Sequence, residues 1–168
     1  AIFHTAGQTK AIADIGEFTN GYAVGKYKNV TSTGATGSNL TFVDTDFPIF
    51  RLGEAYLIYA EAVKRGGTGD ATLALNKLVA LRTRAGITAN LASYDLNYII
   101  DERARELYWE GHRRTDLIRF GLFTSGTYVW PWKGNTASGS PTPSYRNIFP
   151  IPSNAIGANP TLVQNPGY

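Results

Sequence analysis

Glu106 and Glu110 stand four residues apart in the run DERARELYWEGHRRTDLIRFG (101–121), a spacing that places two carboxyls on one face of a helix. Asp101, Glu102 and Asp116 add further acids nearby. Two carboxyls flanking a cleft, one with a raised pKa, are the equipment of a glycoside hydrolase. Here Arg103, Arg105, Arg113, Arg114 and Arg119 are interleaved with the acids. A neighbouring cation lowers a carboxyl pKa and makes it a poor general acid. The pattern therefore predicts a structural ion-pair network, drawn from Arg51, Glu54, Glu106, Glu110, Arg113 and Asp116, because buried charges require mutual partners. No catalytic residue is assigned.

Other constellations are weaker still. His4 and His112 are the only histidines and lie in unrelated contexts, with no H-E-x-x-H spacing, so no metal site and no cofactor is expected. No G-x-S-x-G elbow is present. The Gly-rich STGATGS (32–38) lacks a following Lys-Ser/Thr and reads as a loop, not a phosphate cradle. Tyr128, Trp130 and Trp132, with Lys133 and Tyr145 close by, form an aromatic cluster that reads in two ways. A sugar's apolar C–H face can lie on an indole ring, which makes these three the ligand-binding candidates. Alternatively, the two indoles flanking Pro131 pin a loop to the helices by burying apolar area.

The elements that must position these side chains are mainly helical. Asp46 and Pro48 predict a helix start, with a helix running to about Arg65 on a stripe of Leu52, Ala55, Tyr56, Tyr59, Ala60 and Val63. Gly66-Gly67 ends it. Asp70 caps a second helix with Ala71, Leu75, Leu78, Val79 and Leu81 facing inward, closing near Gly86. Two helices joined by so short a turn predict a tetratricopeptide-like hairpin, with no clean second copy of the repeat. Asp95 caps a third helix on Leu96, Ile99, Ile100, Leu107 and Tyr108 that turns at Gly111, and a shorter helix covers roughly 112–120.

Around this helical core (46–121) lie irregular flanks. Residues 1–45 are rich in Gly, Thr, Ser and Asn and read as loops with a short strand near Gly21 to Lys26. Residues 122–168 read as loop, with Thr127 to Trp130 as one arm of a hairpin. They end in a long extended tail in which prolines at 150, 152, 160 and 166 forbid a long helix but allow one turn at Ser153 to Ile156. Phe149, Ile151, Leu162 and Tyr168 are its predicted anchors. The fold class is thus all-α, organised as one domain over 1–168.

With 168 residues, 43% of them hydrophobic, the chain suffices for a real core. Its net charge of +3 is mild and its arginines alternate with acids, so nucleic acid is not an expected partner. Without cysteine there is no disulfide, thiolate chemistry or cysteine zinc site. No uninterrupted apolar run reaches membrane-spanning length, since the most apolar helix carries Glu54 and Glu61.

Three ordered blocks carry a resemblance: FRLGEAYLIYAEA (50–62), DERARELYWEGHRRTDLIRFG (101–121) and FPIPSNAIGANPTLVQNPGY (149–168). Together they resemble the C-terminal region of the SusD/RagB family, outer-membrane lipoproteins that capture glycans or other nutrients. The resemblance implies a non-enzymatic binding protein whose partners are a SusC-like TonB-dependent transporter and an oligosaccharide. It further implies a surface location at the outer membrane, with contact to the membrane only through a lipidated cysteine that this chain does not contain. Members of that family are several times longer, so the chain resembles a C-terminal part, with Tyr168 as its natural end and with ligand contacts supplied largely from elsewhere. The competing reading is a tetratricopeptide-like scaffold that binds protein and no sugar, using a groove lined by Tyr56, Tyr59 or arginines.

Overall fold

The structure, a computed structural model, describes residues 3–88 and 90–168. It is mainly helical and divides into two compact units, residues 1–113 and 114–168. The division falls inside the 46–121 stretch that periodicity alone presents as one core.

In the first unit, α1 (Leu52–Lys64) packs on α2 (Ala71–Arg84) and on α3 (Leu96–Glu106). The buried apolar side chains Leu57, Ala60, Ala74, Leu78, Leu81, Ile99 and Ile100 meet between them. Asp70 accepts from the backbone N–H of Thr72 and Leu73 and starts α2, while Asp95 accepts from Tyr98 N–H and starts α3. These carboxylates satisfy donors that a helix start leaves open. Gly66 ends α1 with φ +99°, and Gly67 N–H returns to the Ala62 carbonyl at 2.9 Å. The left-handed backbone there suits glycine alone. Tyr59 joins the two helices, its hydroxyl accepting from Asp70 N–H at 2.8 Å.

Three features differ from expectation. First, α1 begins at Leu52, after Arg51 in extended conformation (φ −149°, ψ 159°), and not near Pro48. Arg51 is extended because its side chain is held by Glu106 and Glu110, and the helix starts only after it. Second, the buried face of α1 is Gly53, Glu54, Leu57, Ala60 and Glu61. Leu52 and Ala55 of the predicted stripe face outward, and Ala71 of the predicted α2 stripe is exposed as well. The shift in α1 follows from two glutamates whose buried positions are compensated by cations. Third, α3 stops at Glu106, and residues 107–111 form a turn in which Trp109 adopts φ +61°.

A two-residue antiparallel pair completes the described secondary structure of this unit: β1 (Phe3–His4) with β2 (Ala23–Val24), Phe3 opposite Val24 and His4 opposite Ala23. β2 lies inside the Gly21 to Lys26 segment in which a short strand is expected, whereas β1 forms where the sequence reads as loop.

α4 (Arg113–Arg119) starts at the last residue of the first unit. The rest of the second unit is turns and short helical segments, ending with α5 (Ser153–Ala158). No strand forms at 127–130, where the sequence suggests a hairpin arm. Instead, Trp132 and Asn135 take left-handed backbone around a 3-10 turn at Lys133–Asn135. The tail is held by polar side chains. Gln164 accepts from Ile151 N–H and donates to the Ile151 carbonyl, both at 2.8 Å, and Asn165 donates to the Phe149 carbonyl at 2.7 Å. Of the four predicted anchors only Ile151 is half-buried; Phe149, Leu162 and Tyr168 are exposed. Among the described residues, no helix is long and apolar enough to cross a membrane.

Candidate functional site

The densest chemistry of the first unit gathers on Arg51. Its Nη1 donates to Glu106 Oε1 at 2.5 Å, and its Nη2 donates to the Glu106 carbonyl at 2.5 Å. Nε and Nη2 reach the two oxygens of Glu110 at 2.6 and 2.8 Å. Because α3 ends at Glu106, Glu110 sits on the following turn and does not share a helical face with Glu106. The two acids converge on one guanidinium, and a planar fork matches carboxylates in this way.

Two further cations complete the cluster. Lys26 pairs with Glu110 and donates to the Tyr108 carbonyl at 2.9 Å. Arg84 Nη2 lies 2.7 Å from both Glu106 oxygens. Gly53 is what lets Arg51 and Glu106 meet beside α1, since a Cβ there would lie 2.6 Å from Arg51 Nη1 and 2.7 Å from Glu106 Oε1.

Burial by itself would push the Glu110 carboxyl up, but the hydrogen bonds and charges of Arg51 and Lys26 outweigh it and hold it below its ordinary 4.5. For Arg51, burial opposes the charge, and the hydrogen bonds to Glu110 and Glu106 reverse that and raise its pKa. A proton donor for glycosidic cleavage needs the opposite shift, and these acids are occupied at both oxygens or by two cations. The Tyr27 hydroxyl is buried without a hydrogen-bond partner among the described residues, and burial followed by the Glu110 charge raises its pKa.

The other expected members of the network have partners of their own. Glu54, buried on α1, is 3.5 Å from His112 Nδ1 and 3.9 Å from Arg103 Nη2. Arg113 donates to the Ile100 carbonyl at 2.8 Å. Asp116 belongs to the second unit and accepts from Arg119 Nη2 at 2.9 Å. Lys26 and Arg84 are the participants that the sequence does not reveal, while Arg103 stands in it only as one of the interleaved arginines. Lys26 is 84 residues from Glu110, and no spacing rule spans that distance. His4 lies in β1, and among the described residues no three His, Asp or Glu side chains gather as a metal site would require.

The aromatic cluster lies in the second unit. Trp130 is 42% exposed and meets Tyr128 edge-on, centroids 5.9 Å apart at 71°. Trp132 is half-buried, with φ +67°. The organising group is Lys133, a buried residue whose Nζ donates to the Phe123 and Tyr128 carbonyls at 3.0 Å each and lies 4.6 Å from the Trp130 ring centroid. Tyr128 and Trp130 therefore do not lie in one plane. Trp109 in the first unit, which no motif singles out, is 61% exposed.

Comparison with known proteins places this geometry in a family. The model of the SusD family matches residues 5–168. The chain is 47% identical over 161 residues to the starch-binding protein SusD of Bacteroides thetaiotaomicron, covering 96% of this chain and 28% of that protein. Among solved structures, a laminarin-binding SusD-like protein superposes with a TM-score of 0.59 at 31% identity, over 83% of this chain and 26% of the other. The surface glycan-binding protein A of Bacteroides uniformis gives a TM-score of 0.59 at 26% identity, over 73% and 28%. The chain thus spans about a quarter of the length of the relatives it matches. With the family model matching nearly the whole sequence, the chain belongs to the SusD family.

Proposed function

We propose that this chain is the C-terminal scaffold region of a SusD-like protein that captures glycan at the outer surface of the outer membrane and passes it to a TonB-dependent transporter of the SusC kind. The observation that carries the reading is the 47% identity to a starch-binding protein along 96% of the chain. The protein acts by binding and not by catalysis. Its clustered carboxylates are held by arginine and lysine, which suits a structural lock better than an acid–base pair. Within the region, α1 and α2 form a tetratricopeptide-like hairpin, and the tail from residue 149 lies along the second unit as an extended strap.

A peptide-binding groove on that hairpin has less support. The Tyr59 hydroxyl is engaged at the α2 cap, and the Tyr56 ring has the Lys77 ammonium 4.7 Å from its centroid. As for the aromatic loop, its two indoles anchor the loop around Lys133 and are not the principal sugar contact.

Titration calorimetry of the 168-residue chain and of a longer SusD-like polypeptide containing it, against neutral oligosaccharides headed by maltoheptaose, tests the reading. A Trp130→Ala/Trp132→Ala double variant runs alongside. Binding by the longer polypeptide, with none by the chain, is the expected result. Binding by the chain that disappears in the double variant would instead make the loop a sugar platform. No binding by either would overturn the glycan reading.

A further inference from the structure

A cavity of about 510 Å³ opens in the first unit beside the end of α2 and the last turns of α3. That volume is in the range of small-ligand pockets. Five of its lining side chains are cationic, namely Lys26, Arg51, Arg82, Arg84 and Arg105, and two, Glu102 and Glu106, are anionic. Glu110 removes Lys26 and Arg51 from the balance, since both bind its carboxylate. The remaining three arginines share two carboxylates, one of which already serves Arg51.

The sharing is uneven. Glu102 Oε2 alone accepts from Arg82 Nη1 at 3.1 Å and from Arg105 Nε and Nη2 at 2.9 and 2.7 Å. Arg84 gives only Nη2 to Glu106. Among the described residues, no acceptor lies within hydrogen-bond reach of Arg84 Nε and Nη1, Arg105 Nη1, or Arg82 Nε and Nη2. Arg84 and Arg105 stand at the open side of the cavity, their side chains 65% and 48% exposed, whereas Glu102 and Glu106 are 6% and 7% exposed. The cavity therefore turns guanidinium N–H groups outward and keeps its carboxylates behind them. Phe3 and Ile87 add apolar wall to the same cavity.

We propose that this cavity is a site for an acidic saccharide, with a uronate carboxylate received by Arg84 and Arg105 and the sugar ring laid toward Phe3 and Ile87. Planar guanidinium groups favour a carboxylate over a neutral hydroxyl, because charge-assisted bonds are roughly twice as strong as neutral ones. The inference deepens the glycan-capture reading only in the ligand's being a saccharide; the excess of cationic donors stands on geometry. It also differs from that reading in its test, since neutral-glycan binding by the longer polypeptide can succeed or fail independently of this cavity.

Calorimetric titration of the 168-residue chain with digalacturonate, maltose and sodium sulfate at low ionic strength tests the proposal. Digalacturonate is expected to bind, with maltose silent and sulfate weaker by about tenfold or more. Arg84→Gln together with Arg105→Gln should weaken digalacturonate binding by about tenfold, as loss of charged hydrogen bonds does, while Lys10→Gln, which removes one positive charge as Arg84→Gln alone does, leaves it unaltered. Circular-dichroism melts confirm that each variant is folded, and if the pair unfolds the chain, Arg84→Gln alone carries the test. No digalacturonate binding, binding equal to that of sulfate or maltose, or undiminished binding by a folded Arg84→Gln chain would overturn the proposal.

Discussion

Arg51 neutralises two carboxylates that have little access to water: the side chain of Glu106 is 7% exposed and that of Glu110 is 2% exposed. Arg51→Gln keeps some hydrogen bonding but removes the charge, leaving Lys26 and Arg84 to compensate in part. A loss of about 2–3 kcal/mol in unfolding free energy is expected, below the full cost of stranding a deeply buried pair, and a urea titration measures it. The same cluster sets an acid response. In the folded chain the Glu110 carboxyl titrates below its ordinary 4.5, so its contribution to stability is complete above that value and is lost as pH falls through the folded-state pKa. Melting temperatures of the parent should decline below pH 4.5, and those of Glu110→Gln should decline less steeply over the same interval. Equal slopes would remove Glu110 from the acid response.

Elements were legible where one residue decides locally and opaque where partners arrive from far along the chain. Asp70 and Asp95 could be read as helix starts because a cap needs only an acceptor and the next three residues. The buried stripe of α1 could be read only in part: Glu54 belongs to the predicted ion-pair network, but its place on the buried face depends on Arg103 and His112, which come from beyond α2 in the chain. Likewise, the end of α3 at Glu106 depends on Arg51 gripping the Glu106 carbonyl, a contact 55 residues long in sequence. In the aromatic loop, left-handed Trp132 and Asn135 follow from carbonyls gathered by Lys133, which no turn signal announces. Gly53 supplies the test at this scale. Alanine is the better helix former by roughly 1 kcal/mol, yet a Cβ would press on both Arg51 and Glu106. Gly53→Ala is therefore expected to lower the thermal midpoint, and a rise would mean that the ion cluster tolerates displacement.

As a whole molecule, the chain exposes more large apolar side chains than its own core explains. Leu40, Phe42, Val43, Phe47, Ile49, Phe50 and Leu52 all face outward within one stretch of the first unit. Apolar side chains exposed in such number along one stretch favour contact with another apolar surface. Sedimentation velocity across a concentration series should show self-association of the 168-residue chain, diminished by Phe42→Ser with Phe50→Ser; a concentration-independent monomer would contradict it. Family membership was legible at this scale because three sequence blocks occur in order, whereas the division at residue 113 was not, since it cuts through a continuous helical pattern.

The Gln164 amide, bonded to both the N–H and the carbonyl of Ile151, does for the tail what a neighbouring strand does in a sheet. One side chain imitates a peptide unit, and at that position the extended backbone has no open ladder to offer a second molecule. At Ile151 the tail is thus closed to a second molecule and does not seed fibre growth, and Gln164→Leu would expose that hazard as faster thioflavin-positive aggregation.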